Sequence, residues 1–151
     1  MKKILIALSL IMTTTFVFGQ LTTEQEKLYK EVVEASQKRF IAIIKGNHKE
    51  LNRFFHDSII MILSHRKQKY TLKQYQDSMA YKILEYDTVH NLSDNPQFYN
   101  NNKICILTGE RRIKYKRHPK LSLKFTFSEV FYLDENNQWK LIYLYASEPT
   151  K

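Results

Sequence analysis

Between residues 28 and 43 the apolar positions recur at helical spacing. Leu28, Val32, Ala35 or Ser36, Arg39 or Phe40, and Ile43 fall along one face. Thr23-Glu24-Gln25-Glu26 just ahead of them reads as a capping box, whose hydroxyl and carboxylate cover free amides of the first turn. Gly46 suits the left-handed position that ends a helix. The pattern predicts one long amphipathic helix over residues 23–45. Asn47 offers a cap for a second, short helix running through Phe55. Ser58 to Ser64 is a β-rich run expected to be buried on both faces, followed by a turn through Arg66-Lys67-Gln68-Lys69. Thr71-Leu72-Lys73-Gln74 is a second capping box. Leu72, Tyr75, Met79 and Ile83 then continue a third helix to about Leu84.

After Leu84 the period changes to two. Strands are expected near 86–92, 96–100, 103–115, 121–133 and 138–147. Asn100-Asn101-Asn102 and Asp134-Glu135-Asn136-Asn137 supply turns, because Asn and Asp tolerate positive φ. His118-Pro119-Lys120 is expected at the tip of the hairpin between the two longest strands. Helices first and antiparallel strands after give an α+β layer architecture.

The first residues change the picture of where the chain works. Met1-Lys2-Lys3 is a basic start, and Ile4 to Met12 is a short apolar core. Val17 and Gly19 stand where a signal peptidase requires small side chains, so residues 1–19 are expected to be a cleaved export signal of bacterial type, with cleavage near Gly19-Gln20. The apolar core is shorter than the ~20 residues a bilayer span needs. Residues 20–151 then form one domain, exported to the periplasm or beyond. No linker, repeat or low-complexity run divides it. Cys105 is the single cysteine, so no internal disulfide can form, and its apolar neighbours mark it as a buried small hydrophobe. The net charge of +9 would suggest nucleic acid in a cytosolic protein. For an exported chain the nearer polyanions are envelope surfaces, and at most weak electrostatic contact with them is expected.

Several segments in fixed order carry a resemblance. They are Ile43 to Asn47, Leu51 to Asp57, Ile62-Leu63-Ser64-His65, Tyr70 to Tyr75, Ile106-Leu107-Thr108-Gly109, Phe125 to Phe131, and Trp139 to Ile142. In this order they resemble the nuclear transport factor 2-like (NTF2-like) superfamily, nearest its polyketide-cyclase-like branch of small bacterial domains. The resemblance covers about residues 23–148. It implies a cone-shaped α+β fold, with a strongly curved antiparallel sheet wrapped around a long N-terminal helix and two further helices. It also implies a pocket inside the cone and homodimers through the open sheet face. It implies no activity, because this scaffold hosts isomerases, dehydratases, hydrolases, binding modules and assembly domains.

Candidate chemistry gathers on the strand 121–133. Leu123, Phe125, Phe127, Glu129, Phe131 and Leu133 share one face, which should point into the cone. Lys124, Thr126, Ser128, Val130 and Tyr132 share the other. Burial raises the pKa of a carboxyl unless a cation offsets it, so an unpaired Glu129 would suit a general base or acid. A paired Glu129 would be structural, with Arg112 or Lys114 on the neighbouring strand within reach. His65 at the end of the first strand and Tyr145 on the last are the other catalytic candidates. The expected pocket comprises Phe125, Phe127, Glu129, Tyr143 and Tyr145, open to a small, partly apolar ligand. Ile142 and Leu144 are expected on the outer, dimer-forming face.

No complete catalytic set is recognisable, the histidines lack metal-ligand spacing, and neither a metal nor a cofactor is expected. Residues 110–124 hold Arg111, Arg112, Lys114, Lys116, Arg117, Lys120 and Lys124, which read as an exposed basic hairpin. Tyr115 is the only aromatic near its tip, too little for specific nucleic-acid recognition. The sequence thus supports a binding or assembly module first, and a small isomerase, dehydratase or hydrolase using Glu129 second.

Overall fold

The computed structural model describes residues 20–63, 68–80 and 85–147. The expected export signal, residues 1–19, and the candidate His65 lie outside the described residues. Helix α1 spans Thr23–Lys45, the extent the hydrophobic pattern predicts. Its cap is Thr22 rather than Thr23. The Thr22 hydroxyl accepts from the Gln25 amide, and the Gln25 side chain accepts from the Thr22 amide. Gly46 closes the helix at φ 68°. Val32, Ser36, Arg39, Ala42 and Ile43 form its buried face. Asn47 caps a four-residue helix α2, His48–Leu51, shorter than the predicted one.

Strand β1 (Phe55–Leu63) and the three-residue β2 (Gln68–Tyr70) pair antiparallel, and α3 follows at Leu72–Ala80. The long strands are β3 (Tyr86–Tyr99), β4 (Ile104–Tyr115), β5 (His118–Leu133) and β6 (Trp139–Ser147). They make one six-stranded sheet in the order β2-β1-β6-β5-β4-β3. The β1–β6 pair is parallel, and the other pairs are antiparallel. The sheet is therefore mixed rather than wholly antiparallel, and with the long α1 against it the molecule has the expected α+β architecture.

Three departures from the sequence reading have clear causes. The predicted strands 86–92 and 96–100 are one strand, β3, despite the turn-forming Ser93-Asp94-Asn95-Pro96 between them. An edge strand tolerates proline, and the register shift between Asn91 and Ser93 absorbs Leu92 as a bulge. The β4–β5 turn falls at Lys116-Arg117, so His118-Pro119-Lys120 begins β5 instead of forming the tip. The run around β1 is buried on one face only. Ile59, Met61 and Leu63 point inward, while Ile60 is 36% exposed.

The core lies between α1, α3 and the inner sheet face. Phe55, Met61, Leu107, Phe131 and Leu141 are among its buried members, with Cys105. Burial pushes the Cys105 thiol up to about 12, so it behaves as a small hydrophobe.

Candidate functional site

Strict alternation along β5 delivers Phe125, Phe127, Glu129 and Phe131 to the inner face, where all are buried. Glu129 is completely inaccessible. A carboxylate there needs compensating charge, and two elements supply it. Arg39 comes from the buried face of α1, in helical register with Val32, Ser36 and Ile43. Arg111 comes from β4, with the parity of Cys105, Leu107 and Ile113.

Arg39 Nη2 donates to Glu129 Oε1 at 2.6 Å and to the Ser36 hydroxyl at 3.3 Å. Arg111 Nη1 donates to the same Oε1 at 2.8 Å, and its Nη2 reaches Oε2 at 3.4 Å. Arg111 stands opposite Phe125, so its guanidinium crosses Phe127 to reach Glu129. Gly109, paired with Phe127, carries no side chain that would obstruct that path. The Arg111 guanidinium lies 4.0 Å from the Phe127 ring centre and 4.4 Å from that of Phe40. Arg39 contacts Phe40 from 4.5 Å. Outward, Arg111 Nε donates to Asn91 Oδ1 at 2.8 Å, and Asn91 Nδ2 donates to Asp94 at 3.1 Å.

Burial by itself would raise the Glu129 carboxyl. The charges of Arg111 and Arg39 and their hydrogen bonds more than offset it and lower the pKa to about 2. The raised pKa that suits a general base is therefore not found. The partners are Arg39 and Arg111, not Arg112 or Lys114, which lie on the outward face of β4.

Beside this ion triad is a cavity of about 40 Å³. Arg39, Arg111, Phe40, Phe55, Phe125 and Phe127 line it, with Tyr75, Tyr86, Tyr115, Ile113, Leu144 and Ala146 among the rest. Tyr75 is buried. Burial and then the neighbouring Tyr86 raise its phenol well above the usual range, and it shares a side-chain hydrogen bond with Tyr86. It stays neutral at any physiological pH.

The expected pocket residues divide. Phe125 and Phe127 line the cavity, and Glu129 lies behind the two arginines that do. Tyr143 and Tyr145 do not line it. They pair with Val130 and Ser128 on the outer face, and Tyr145 is 37% exposed. The cause is a bulge. Val130 pairs with Tyr143 but Phe131 pairs with Leu141, so Ile142 is an extra residue. Trp139 and Leu141 point inward before it, and Leu144 does so after it. Leu144 thus moves from the expected outer face to the cavity wall. The sequence reading missed Arg39, Arg111 and the three tyrosines Tyr75, Tyr86 and Tyr115. Two signals could have found the arginines: a cation in register with a helix's apolar stripe, and a cation on the apolar parity of a strand.

The basic hairpin is partly folded into the structure. Arg111 is buried, Lys124 pairs with Glu110 at 2.7 Å, and Arg117 pairs with Glu85 at 3.0 Å. Lys116 Nζ donates to the Ile44 carbonyl at 2.9 Å, in the last turn of α1, where a cation complements the helix dipole.

No protein-family model matches this sequence, and no curated protein matches it significantly. Solved structures do. An NTF2-like protein from Cytophaga hutchinsonii superposes with a TM-score of 0.70 at 17% identity, covering 80% of this chain and 98% of that one. A protein proposed to be a ketosteroid isomerase, from Parabacteroides distasonis, gives 0.65 at 16% identity, covering 87% and 95%. The association domain of CaMKII from C. elegans gives 0.68 at 9% identity, covering 83% and 99%. These likenesses establish the fold: the chain is built on the NTF2-like cone.

Proposed function

We propose that this chain is a non-catalytic binding module whose cavity takes a small, partly apolar molecule, and that it works after export as a homodimer. The observation that carries the reading is the closed Arg39–Glu129–Arg111 triad beside an aromatic-lined cavity. Both Glu129 oxygens accept from guanidinium groups, and those two cations keep its proton affinity low. That argues against the alternative of an isomerase, dehydratase or hydrolase with Glu129 as base. The other proposed partner in such an enzyme, Tyr145, faces away from the cavity. Rigid apolar walls with a few fixed polar groups are what a small-molecule site needs.

Dimerisation through the outer sheet face is supported by its side chains. Ile106, Val130, Tyr143 and Ile60 form an apolar row across four strands, with Tyr145 and Ile62 beside it. The occurrence of this fold in an association domain is in keeping with that reading. Export rests on the basic and apolar start of the chain.

The test is a fragment library titrated against the protein, read through the ring resonances of Phe125 and Phe127. Ligands that move those rings are expected. Fragments that bind only outside the cavity, or no fragments at all, would overturn the proposal.

A further inference from the structure

The charges at the cavity do not balance. Two guanidinium groups, Arg39 and Arg111, face one carboxylate, Glu129, and all three are at least 96% buried. One positive charge is left in excess. The nearest further carboxylate through hydrogen bonds is Asp94, reached only through Asn91 on the outer side of Arg111.

The donors do not balance either. A guanidinium offers five N–H groups in a fixed fork. Arg39 uses Nη2, on Glu129 and Ser36. Its Nε and Nη1 are buried with no partner among the described residues, although Arg39 lines the cavity. Buried donors on a charged group are costly to leave unmet. The walls around this polar edge are phenyl rings, phenols and aliphatic groups, which favour an apolar body over a bare inorganic ion.

Size narrows the choice. One water needs roughly 10–15 Å³ of such space, so the cavity of about 40 Å³ holds more than a single water but only a molecule of a few heavy atoms. A single excess charge favours a monoanion over a phosphate or a dicarboxylate.

Resting on the binding-module reading, we propose that the cavity is the site of a short-chain monocarboxylate of two to four carbons. Its carboxylate accepts from the free donors of Arg39, and its alkyl group lies among the rings of Phe55, Phe125 and Phe127. The ion triad then supplies three charges of a four-charge cluster, and the ligand supplies the missing negative one. Glu129 orients Arg39 for this task and touches no ligand.

The test titrates the full chain by calorimetry with sodium propionate, with neutral propionamide, and with sodium chloride at matched ionic strength. Propionate is expected to bind saturably, with propionamide about ten-fold weaker or more, as the loss of a charge-assisted hydrogen bond requires. Chloride is expected to have no saturable effect. Arg39→Lys keeps the charge opposite Glu129 but removes the free donors, and should weaken propionate by about ten-fold. Because that variant could fold poorly, the buried arginine Nε–H resonances of the unaltered protein give a second reading. One of them should move with propionate and stay still with propionamide.

Equal binding of propionate and propionamide would leave the cavity a binding site and overturn the anion. Binding of neither would overturn both. A response matched by chloride, unaltered Nε–H resonances, or full affinity in a folded Arg39→Lys variant would each overturn the role given to Arg39.

Discussion

Arg39 on α1 reaches across the core to Glu129 on β5, ninety positions further along the chain, and the two meet at 2.6 Å with neither accessible to solvent beyond a trace. A single bond thus ties the long helix to the middle of the sheet. Removing one partner of a buried pair is much worse than never having built it, because the other charge stays behind without compensation. Glu129→Gln should therefore lower stability by about 3–5 kcal/mol, with both arginines left facing a neutral amide. Urea unfolding followed by circular dichroism measures this. An unchanged midpoint would show that the triad does not form in solution.

The same group sets an acid limit. The carboxyl falls from an ordinary 4.5 to about 2 on folding. A depressed value means that the unfolded chain takes up the proton first as pH falls. The stabilisation is complete above about 4.5, declines below it, and is gone near 2. A shift of that size amounts to about 3 kcal/mol. Unfolding free energy measured against pH should show this decline in the unaltered protein, and a smaller one in Glu129→Gln. Parallel curves for the two proteins would contradict the assignment.

Much of this site was legible in the sequence. The period-two pattern of 121–133 put Phe125, Phe127 and Glu129 on the inner face, and the structure agrees. The 3.6-residue period of 23–45 left Arg39 and Phe40 as alternatives on the apolar stripe, and the cluster of basic residues over 110–124 hid the fact that Arg111 has the inward parity of Cys105, Leu107 and Ile113. The reading failed where alternation itself breaks. Nothing in Leu141-Ile142-Tyr143 announces a bulge, since either parity offers apolar side chains for burial. The face of Tyr143 and Tyr145 is settled by pairing with β5 and β1, which is long-range information. Gln68 and Lys69, expected in a turn, instead form β2 with Tyr70 for a similar reason, because Met61, Ile62 and Leu63 lie opposite them.

Gly109 is where backbone and site meet. A β-carbon there would run into the Ser93 carbonyl, just past the Leu92 bulge on β3, and would press on the Phe127 ring. Gly109→Ala should cost about 2–3 kcal/mol, since backbone must shift to admit the methyl group. Gly46→Ala is the contrast. Space is open around Gly46, but its φ of 68° disfavours a side chain, and the expected cost is about 1 kcal/mol. Chemical denaturation of both variants checks the order, and a Gly109 variant at least as stable as the Gly46 one would reverse it.

Lys116 should matter to the fold, while the exposed Lys120 should matter only to surface charge. Its contact with the Ile44 carbonyl holds the β4–β5 turn against the C-terminus of α1, so Lys116→Gln is expected to lose about 0.5–1 kcal/mol. Any attraction of the hairpin to anionic vesicles should fade by high salt, because exposed charges are screened over roughly 8 Å at physiological ionic strength. Lys120→Gln should weaken it without altering stability. Vesicle binding that persists in high salt would require a shaped recognition site instead.

The outer sheet face gives the last expectation. Ile60 and Tyr145 are each more than a third exposed, and they flank Tyr143 and Ile62 on adjacent strands. A second copy laid over this face would bury apolar surface that one protomer leaves in water, and a twofold interface presents the same patch from both sides. The protein is expected to sediment as a dimer at tens of micromolar, an order of magnitude suited to modest association. Ile60→Glu with Tyr145→Glu should yield a folded monomer, since each carboxylate would meet its symmetry-related apolar patch across the interface. The side chains concerned lie on the opposite face of the sheet from the Arg39–Glu129–Arg111 triad, so the monomer should keep the acid profile of the parent. A parent that sediments as a monomer, or a double variant that remains dimeric, would place the contact on some other surface or remove it.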